Sequence, residues 1–207
     1  MASVLLIHGG LWEDTSGADW FWRRTGVIDG LTARGLTVIA PDRLRRASSW
    51  TAEADHIASR PDLAGGAMTV VGGSFGCAVA VRLALDFPGL VGRLMLAWPA
   101  ALGDQFTAIR IRAGLARQGA PSAVLDALLG SETLPSATDA ALRALAVPVA
   151  VIPSAPPNPL HPRSAVESLL RVLPSAVELP GSPEPPQPDF AAHLESFVAA
   201  VADFSRA

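Results

Sequence analysis

The residues that most directly suggest chemistry lie in the stretch GGSFG, which matches the pattern G-x-S-x-G at positions 72 to 76. An apolar run that predicts a strand precedes it, and a run with helical periodicity follows it. Glycines on both sides permit a sharp turn that holds Ser74 in a strained conformation with its hydroxyl exposed. The pattern therefore predicts that Ser74 is a nucleophile. The N–H of Phe75, at the start of the helix, would point at a developing oxyanion.

A second glycine pair follows the first apolar run of the chain, in the stretch IHGGLW at positions 7 to 12. Glycine lets the backbone approach a ligand closely, and a backbone N–H can donate to an oxyanion. We therefore expect the N–H of Gly10 or of Leu11 to be the second donor of an oxyanion hole.

Six short apolar runs predict the strands that must position these groups, at residues 4–7, 36–40, 68–72, 93–97, 147–152 and 176–179. The runs are continuous rather than alternating, as in strands that are covered on both faces. Helical patterns lie between and after them, at 20–34, 52–59, 75–87, 163–172 and 189–204. This alternation predicts an α/β fold with a doubly wound parallel sheet of about six strands, whose ligands bind beyond the carboxyl ends of the strands.

The length of the chain, residues 1–207, is typical of a single domain. One segment, residues 99–146, does not follow the simple alternation, since it is helical in pattern and lies between the fourth and fifth predicted strands. We interpret it either as a small helical lid inserted over the site or as extra helices packed on the core.

These motifs, in this order, resemble the α/β-hydrolase superfamily. The matching features are the His-Gly-Gly stretch at 8–10, Ala-Pro-Asp at 40–42, the turn around Ser74, the helical insertion and the run VPVAVI at 147–152. The resemblance covers nearly the whole chain. It implies an α/β-hydrolase fold with a shortened sheet and an esterase-like hydrolase with a serine nucleophile.

The resemblance also implies a histidine base and a carboxylate, and here the sequence departs from the family. The usual acid loop follows the strand at 147–152, where this chain has Asn158 in place of an aspartate and then His161. The usual histidine follows the last strand, where this chain has Glu184 and no histidine. The candidate bases are therefore His161, in the acid loop, and His193, in the last helix.

The acid is equally open. If the two adjacent loops have exchanged roles, Ser74, His161 and Glu184 would form a relay, because a triad is defined by geometry and not by chain order. Asp104, after the fourth strand, stands at another acid position of the family, although its context also suits a helix N-cap. Glu184 could likewise be a solvated loop residue.

Three further residues near the expected ligand face could contact a substrate. Trp12 and Trp98 suit an apolar or aromatic pocket, with buried packing as the alternative. Arg43, in the stretch PDRLRR, could bind a carboxylate of the substrate or belong to a solvated basic loop. Cys77, three residues after the serine, is expected to point into the core and to be inert.

The composition argues against several classes of function. A net charge of −3 gives no reason to expect nucleic acid or an anionic membrane as a partner. No apolar stretch approaches the roughly 20 residues that span a membrane, and we expect no signal peptide. The single cysteine excludes an internal disulfide and favours the cytoplasm. No metal-ligand spacing or nucleotide-binding motif is present, so we expect neither metal nor cofactor, and a homodimer stays open.

We therefore expect a serine hydrolase that acts on a carboxylic ester, lactone or thioester of a small apolar metabolite. Two alternatives stay open because the acid and the histidine are missing from their usual places. One is a non-hydrolytic enzyme of the same fold, and the other is a catalytically dead protein that binds a small molecule.

Overall fold

The apolar runs form a single parallel sheet. The computed structural model describes residues 2–12, 17–102, 105–130 and 133–207, and six strands lie in the order β2-β1-β3-β4-β5-β6. The strands are β1 Ser3–Ile7, β2 Thr37–Ile39, β3 Met68–Gly73, β4 Val91–Ala97, β5 Val149–Ile152 and β6 Ala176–Glu178. Every neighbouring pair is parallel, so the carboxyl ends of all six strands lie at one edge of the sheet.

Helices follow the strands much as the periodicity predicts. They are α1 Val27–Ala33, α2 Trp50–Ala58, α3 Gly76–Asp86, α4 Gln105–Arg117, α5 Ser122–Leu128, α6 Asp139–Arg143, α7 Arg163–Val172 and α8 Leu194–Arg206. The helix predicted at 20–34 is instead a π-helical turn, Asp19–Arg23, followed by α1. The break lies at Gly26, whose φ of 83° is left-handed and cannot continue a helix. The last predicted helix begins as a 3₁₀ helix, Pro188–His193, and a short 3₁₀ helix covers Pro61–Leu63.

Both faces of the sheet are covered, which confirms the doubly wound arrangement. Successive residues of the central strands point to opposite faces, so that Leu5 and Val70 join one core while Leu6 and Val71 join the other. Helices α2, α3 and α7 bury their apolar stripes in the first core, and α1 and α8 bury theirs in the second. The continuous apolar runs of β1 and β3 follow from this two-sided burial.

The segment 99–146 carries α4, α5 and α6. It is joined to the first core through Leu115, Leu125 and Leu128, and the indole N–H of Trp50 donates to the Leu128 carbonyl at 3.1 Å. Two apolar side chains of α4 face outward, with Phe106 69% exposed. Among the residues that the structure describes, no helix has the length and apolar character required to cross a bilayer.

Candidate active site

Ser74 sits on a sharp turn between β3 and α3. Its φ is 55°, a conformation that side-chain-bearing residues rarely adopt, and its N–H donates to the Ala97 carbonyl at 2.9 Å. A Cβ at Gly72 would approach the carbonyl oxygen of Gly76 at 2.6 Å, and a Cβ at Gly76 would collide with backbone oxygens of the first strand loop. The two glycines are therefore required because strand and helix pass too closely for a side chain.

His161 is the partner of the serine. Its Nε2 lies 2.9 Å from the Ser74 Oγ, and both side chains are buried. The histidine stands in the loop between β5 and α7, and the neighbouring Leu160 carbonyl accepts the N–H of Ala101 at 3.0 Å. Since a base must lie within hydrogen-bond reach of the proton that it removes, His161 has the geometry of a general base toward Ser74.

Glu184 lies on the far side of the imidazole. Its Oε1 is 3.3 Å from the Nδ1 of His161, and the amide of Gln187 donates to the same oxygen at 3.2 Å. Glu184 stands in the loop after β6, whereas His161 stands in the loop after β5. The structure thus brings together Ser74, His161 and Glu184, with the acid and the base exchanged between the two loops relative to the order that the sequence resemblance implies.

Burial favours the neutral form of both partners. It lowers the pKa of His161 to about 4, so the imidazole is neutral at physiological pH and can accept a proton. It raises the pKa of Glu184 to about 7, so this carboxyl changes its charge near neutrality. A group with a perturbed pKa in contact with a strained serine is typical of a catalytic site.

A third group touches the imidazole. The side-chain amide nitrogen of Asn158 lies 3.1 Å from the Nδ1 of His161. The Asn158 side-chain oxygen accepts the N–H groups of Leu160 at 2.9 Å and of His161 at 3.0 Å. Sequence reasoning treated Asn158 only as the missing acid. The signal available for it was the stretch N-P-L-H, because an Asn side chain often closes a short turn over the following residues.

The loops that carry the base and the acid are joined to each other. Ser154 and Ser182 form a parallel bridge, and the N–H of Ala155 donates to the Ser182 carbonyl at 3.0 Å. The indole N–H of Trp98 donates to that same carbonyl at 2.9 Å. These contacts extend the order of the sheet into both loops and hold the loop of His161 beside the loop of Glu184.

Trp98, which we expected to contact a substrate, has instead the packing that was its alternative interpretation. It is fully buried and stacks on Phe197 with ring centroids 5.0 Å apart, on the face of the sheet covered by α8. A ring with no exposed surface offers no face to a ligand. Its indole N–H donates to the Ser182 carbonyl, so the Trp98 side chain helps to hold the loop that carries Glu184.

Arg43 is buried in an ion pair. Its guanidinium makes two bonds to the Glu53 carboxylate, at 2.7 Å and 2.8 Å, and only 5% of its side chain is exposed. The same group donates to the carbonyls of His8 at 3.1 Å and Gly10 at 2.7 Å. A substrate carboxylate would have to displace Glu53. The geometry therefore supports a role for Arg43 in holding residues 8–11, the glycine loop. Glu53 itself was missed, although a charge on the apolar stripe of α2 was a signal for it.

The glycine loop is held from one side. The Nδ1 of His8 bonds to the Gly9 carbonyl at 2.7 Å, and its Nε2 accepts the N–H of Arg43 at 3.0 Å. Burial first, and the charge of Arg43 second, lower the pKa of His8 to about 4, so the ring is a neutral structural group. In a trans peptide the N–H points opposite to the preceding carbonyl. With the Gly9 and Gly10 carbonyls bound, the N–H groups of Gly10 and Leu11 face away from His8 and Arg43.

The remaining predicted residues lie apart from the relay or outside the described part of the chain. His193 ends the last 3₁₀ helix, where its carbonyl accepts the Ser196 hydroxyl, and Ser74 bonds to His161 instead. Asp104 lies outside the described residues. Trp12 and Leu11 line a pocket beside the glycine loop, and the Trp12 indole donates to the Ala47 carbonyl at 2.9 Å.

A cleft of about 590 Å³ opens next to the loop of the base. One wall is α4, with Ile111 and the arginines Arg110 and Arg117, and the other is the turn from Asn158 to Leu160. This volume is in the range of small-molecule sites. Within the described residues, no cluster of three or more His, Cys, Asp or Glu side chains is arranged to hold a metal ion.

No known family model matches the sequence, and no curated protein matches it. Solved structures, in contrast, superpose on the fold of this chain. An α/β-hydrolase enzyme, MGS-MChE2, from the metagenome of lagoon sediments of Mar Chica, Morocco, superposes with a TM-score of 0.72 at 18% identity, covering 99% of this chain and 90% of that chain.

Two further solved structures superpose on this chain equally well. The meta-cleavage product hydrolase CumD from Pseudomonas fluorescens superposes with a TM-score of 0.71 at 20% identity, over 99% of this chain and 90% of that one. A thermophilic esterase from Thermogutta terrifontis gives 0.71 at 19% identity, over 100% of this chain and 90% of that one. The chain therefore has the α/β-hydrolase fold.

Proposed function

We propose that the protein is a serine hydrolase that cleaves a carboxylic ester, lactone or thioester of a small apolar metabolite. The observation that carries this proposal is the 2.9 Å contact between the Ser74 Oγ and the His161 Nε2, with Glu184 3.3 Å from the other ring nitrogen. A hydroxyl in contact with a neutral imidazole that is itself faced by a carboxylate is the arrangement that activates a serine.

In the first half of the reaction the Ser74 Oγ attacks the carbonyl carbon of the substrate. The Nε2 of His161 takes the hydroxyl proton, and the ionised Glu184 stabilises the imidazolium that forms. The tetrahedral intermediate then expels the alcohol or thiol, which receives the proton from His161. The product of this half is an acyl group esterified to Ser74.

In the second half a water molecule attacks the acyl carbon. His161 takes a proton from the water and returns it to the Ser74 oxygen as the carboxylic acid leaves. In both halves the oxyanion would be bound by the N–H of Phe75 and by that of Gly10 or Leu11. Such preorganised donors commonly supply the largest electrostatic contribution to acyl transfer.

The fold supports the same reaction class. Two of the structural neighbours are described as an esterase and as a meta-cleavage product hydrolase. We further propose a cytoplasmic location, since the single cysteine is fully buried and needs no oxidising compartment.

A non-hydrolytic enzyme was an alternative because an acid and a histidine are absent from their usual places in the sequence. In the proposed relay His161 faces Ser74 and Glu184 faces His161, which removes this reason for the alternative. A binding protein without activity is likewise less favoured, because a buried, strained serine with a base in contact has no role in simple binding.

Covalent labelling by a fluorophosphonate, read as intact mass, tests the proposal. A single adduct on the wild-type protein, absent from Ser74→Ala, is expected. His161→Ala should lose labelling, whereas His193→Ala, the matched control, should keep it. A folded wild-type protein that takes no adduct, or equal labelling of Ser74→Ala, would contradict the proposed function.

A further inference from the structure

The side chain of Asn158 has a fixed orientation. Its Oδ1 accepts two backbone N–H groups, those of Leu160 and His161, so this end of the amide must be the oxygen. The NH₂ end is therefore the one that lies 3.1 Å from the Nδ1 of His161. If the amide were rotated to exchange its oxygen and nitrogen, the NH₂ group would face the N–H groups of Leu160 and His161. All three are donors, so none of them would have an acceptor there.

This orientation creates a conflict at one atom. The Asn158 NH₂ group can only donate, so it binds Nδ1 only when that nitrogen carries no proton. The ionised Glu184, 3.3 Å from the same nitrogen, can only accept, so it binds Nδ1 only when that nitrogen is protonated. In the neutral imidazole the two partners select opposite tautomers.

The tautomer decides whether Ser74 is activated. With the proton on Nδ1, the Nε2 has a free lone pair and can take the proton of the serine hydroxyl. With the proton on Nε2, that nitrogen donates to the Ser74 oxygen and cannot act as its base. A protonated Glu184 would itself donate to Nδ1 and would reinforce this second, unproductive tautomer.

We propose that Asn158 is a positioning residue that competes with Glu184 for the Nδ1 of His161, and that Ser74 is activated only while ionised Glu184 wins this competition. The inference rests on the proposed function and says how the activity of the same site is regulated. It predicts that the nucleophile is switched on by the loss of one proton from the carboxyl group.

The groups close to the Glu184 carboxylate bear on this switch. Among the described residues, His161 and Gln187 contact the Glu184 carboxylate, and Gln187 carries no charge. The Cys77 thiol of α3 lies close enough to be influenced by Glu184 and Arg43, but burial raises its pKa and keeps it neutral. Burial also raises the pKa of Glu184 to about 7, which places the switch near neutrality.

The first test reads the tautomer of His161 directly, by ¹⁵N NMR of the ring nitrogens, with the signals assigned by their loss in His161→Ala. In the wild-type protein the proton should move from Nε2 to Nδ1 between about pH 6 and about pH 9. Asn158→Asp keeps the oxygen that binds the two backbone N–H groups and replaces the donor by an acceptor. In this variant the proton should stay on Nδ1 at both pH values.

The second test is a rescue. Glu184→Gln should label with a fluorophosphonate about 10³-fold more slowly than the wild-type protein, as expected for a histidine held in the wrong tautomer. Adding Asn158→Asp should restore at least about 10-fold of that rate, because an acceptor again faces Nδ1. The acid limb of the pH profile should also move to lower pH in Asn158→Asp alone, since two backbone donors favour the ionised carboxylate.

The outcomes separate the two proposals. A wild-type protein that takes no label would contradict the proposed function, and the NMR result would still decide the role of Asn158. Identical tautomers of His161 in the wild-type protein and in Asn158→Asp at both pH values would overturn the competition. So would a double variant that labels no faster than Glu184→Gln.

Discussion

Replacing Glu184 by Gln is expected to make the protein more stable and less active at alkaline pH. Burial raises the pKa of this carboxyl from 4.5 to about 7, so the folded state holds its proton more tightly than the unfolded state. A folded pKa above the unfolded value gives a stability contribution that is complete below 4.5 and is lost as the pH rises through about 7. Gln has nearly the same shape and cannot ionise, so it avoids this loss.

The size of the effect follows from the two pKa values. The interval from 4.5 to about 7, at about 1.4 kcal/mol per pKa unit, corresponds to about 3 kcal/mol. The Glu184 side chain is only 17% exposed, so solvent screening removes little of this amount. Near pH 8.5 the variant should exceed the wild-type free energy of unfolding by about 3 kcal/mol, and near pH 5 by less than about 1 kcal/mol.

Urea unfolding of both proteins at the two pH values measures the difference. The lowered pKa of His161 is common to both proteins and largely cancels in the comparison. Glu178→Gln is the matched control, because it removes the same charge from an exposed carboxylate whose pKa is lowered by hydrogen bonds from Arg163. It should not stabilise the protein at either pH. Equal stability of Glu184→Gln and the wild-type protein near pH 8.5 would refute a costly buried charge at this site.

Three further outcomes follow from the same geometry. Arg43→Met should cost about 3–5 kcal/mol in urea unfolding, because it leaves the Glu53 carboxylate buried and unpaired. Adding Glu53→Met should recover stability but not the fluorophosphonate labelling rate, since the carbonyls of His8 and Gly10 still lack the Arg43 donor. Trp98→Phe should cost about 1–3 kcal/mol and slow labelling, because it removes the donor to Ser182. Trp22→Phe should cost less, because its buried indole N–H has no partner among the described residues. The labelling rate of the wild-type protein should fall as the pH falls below about 7, because the acid of the relay then takes up its proton.

Sequence reasoning predicts the parts of the fold that local patterns determine. The six strands and α7, Arg163–Val172, lie where periodicity places them, since burial on one or both faces leaves a direct trace in the residue pattern. The turn at Ser74 is equally predictable, because only glycine fits where β3 and α3 pass closely. The break at Gly26 is not, because a single glycine is tolerated inside many helices.

The parts of the site that depend on long-range contacts are harder to predict from the sequence. A Trp next to an active-site loop can face ligand or core, and only the packing of α8 beneath the sheet places Trp98 in the core. The pairing of Arg43 with Glu53 joins a loop to a helix face, so neither residue alone signals it. The contact of Asn158 with His161 is local, but its meaning depends on Glu184 arriving from another loop.

The proposed exchange of acid and base is physically reasonable because β5 and β6 are neighbours in the sheet. Parallel strands lie about 4.8 Å apart, so the loops that leave their carboxyl ends start side by side. The bridge between Ser154 and Ser182 keeps them together beyond the sheet. In such a relay one imidazole nitrogen faces the serine and the other faces a carboxylate, which the loops after β5 and β6 provide with His161 and Glu184. The position of the strand ends therefore constrains the relay, whereas the order of acid and base along the chain is free to change.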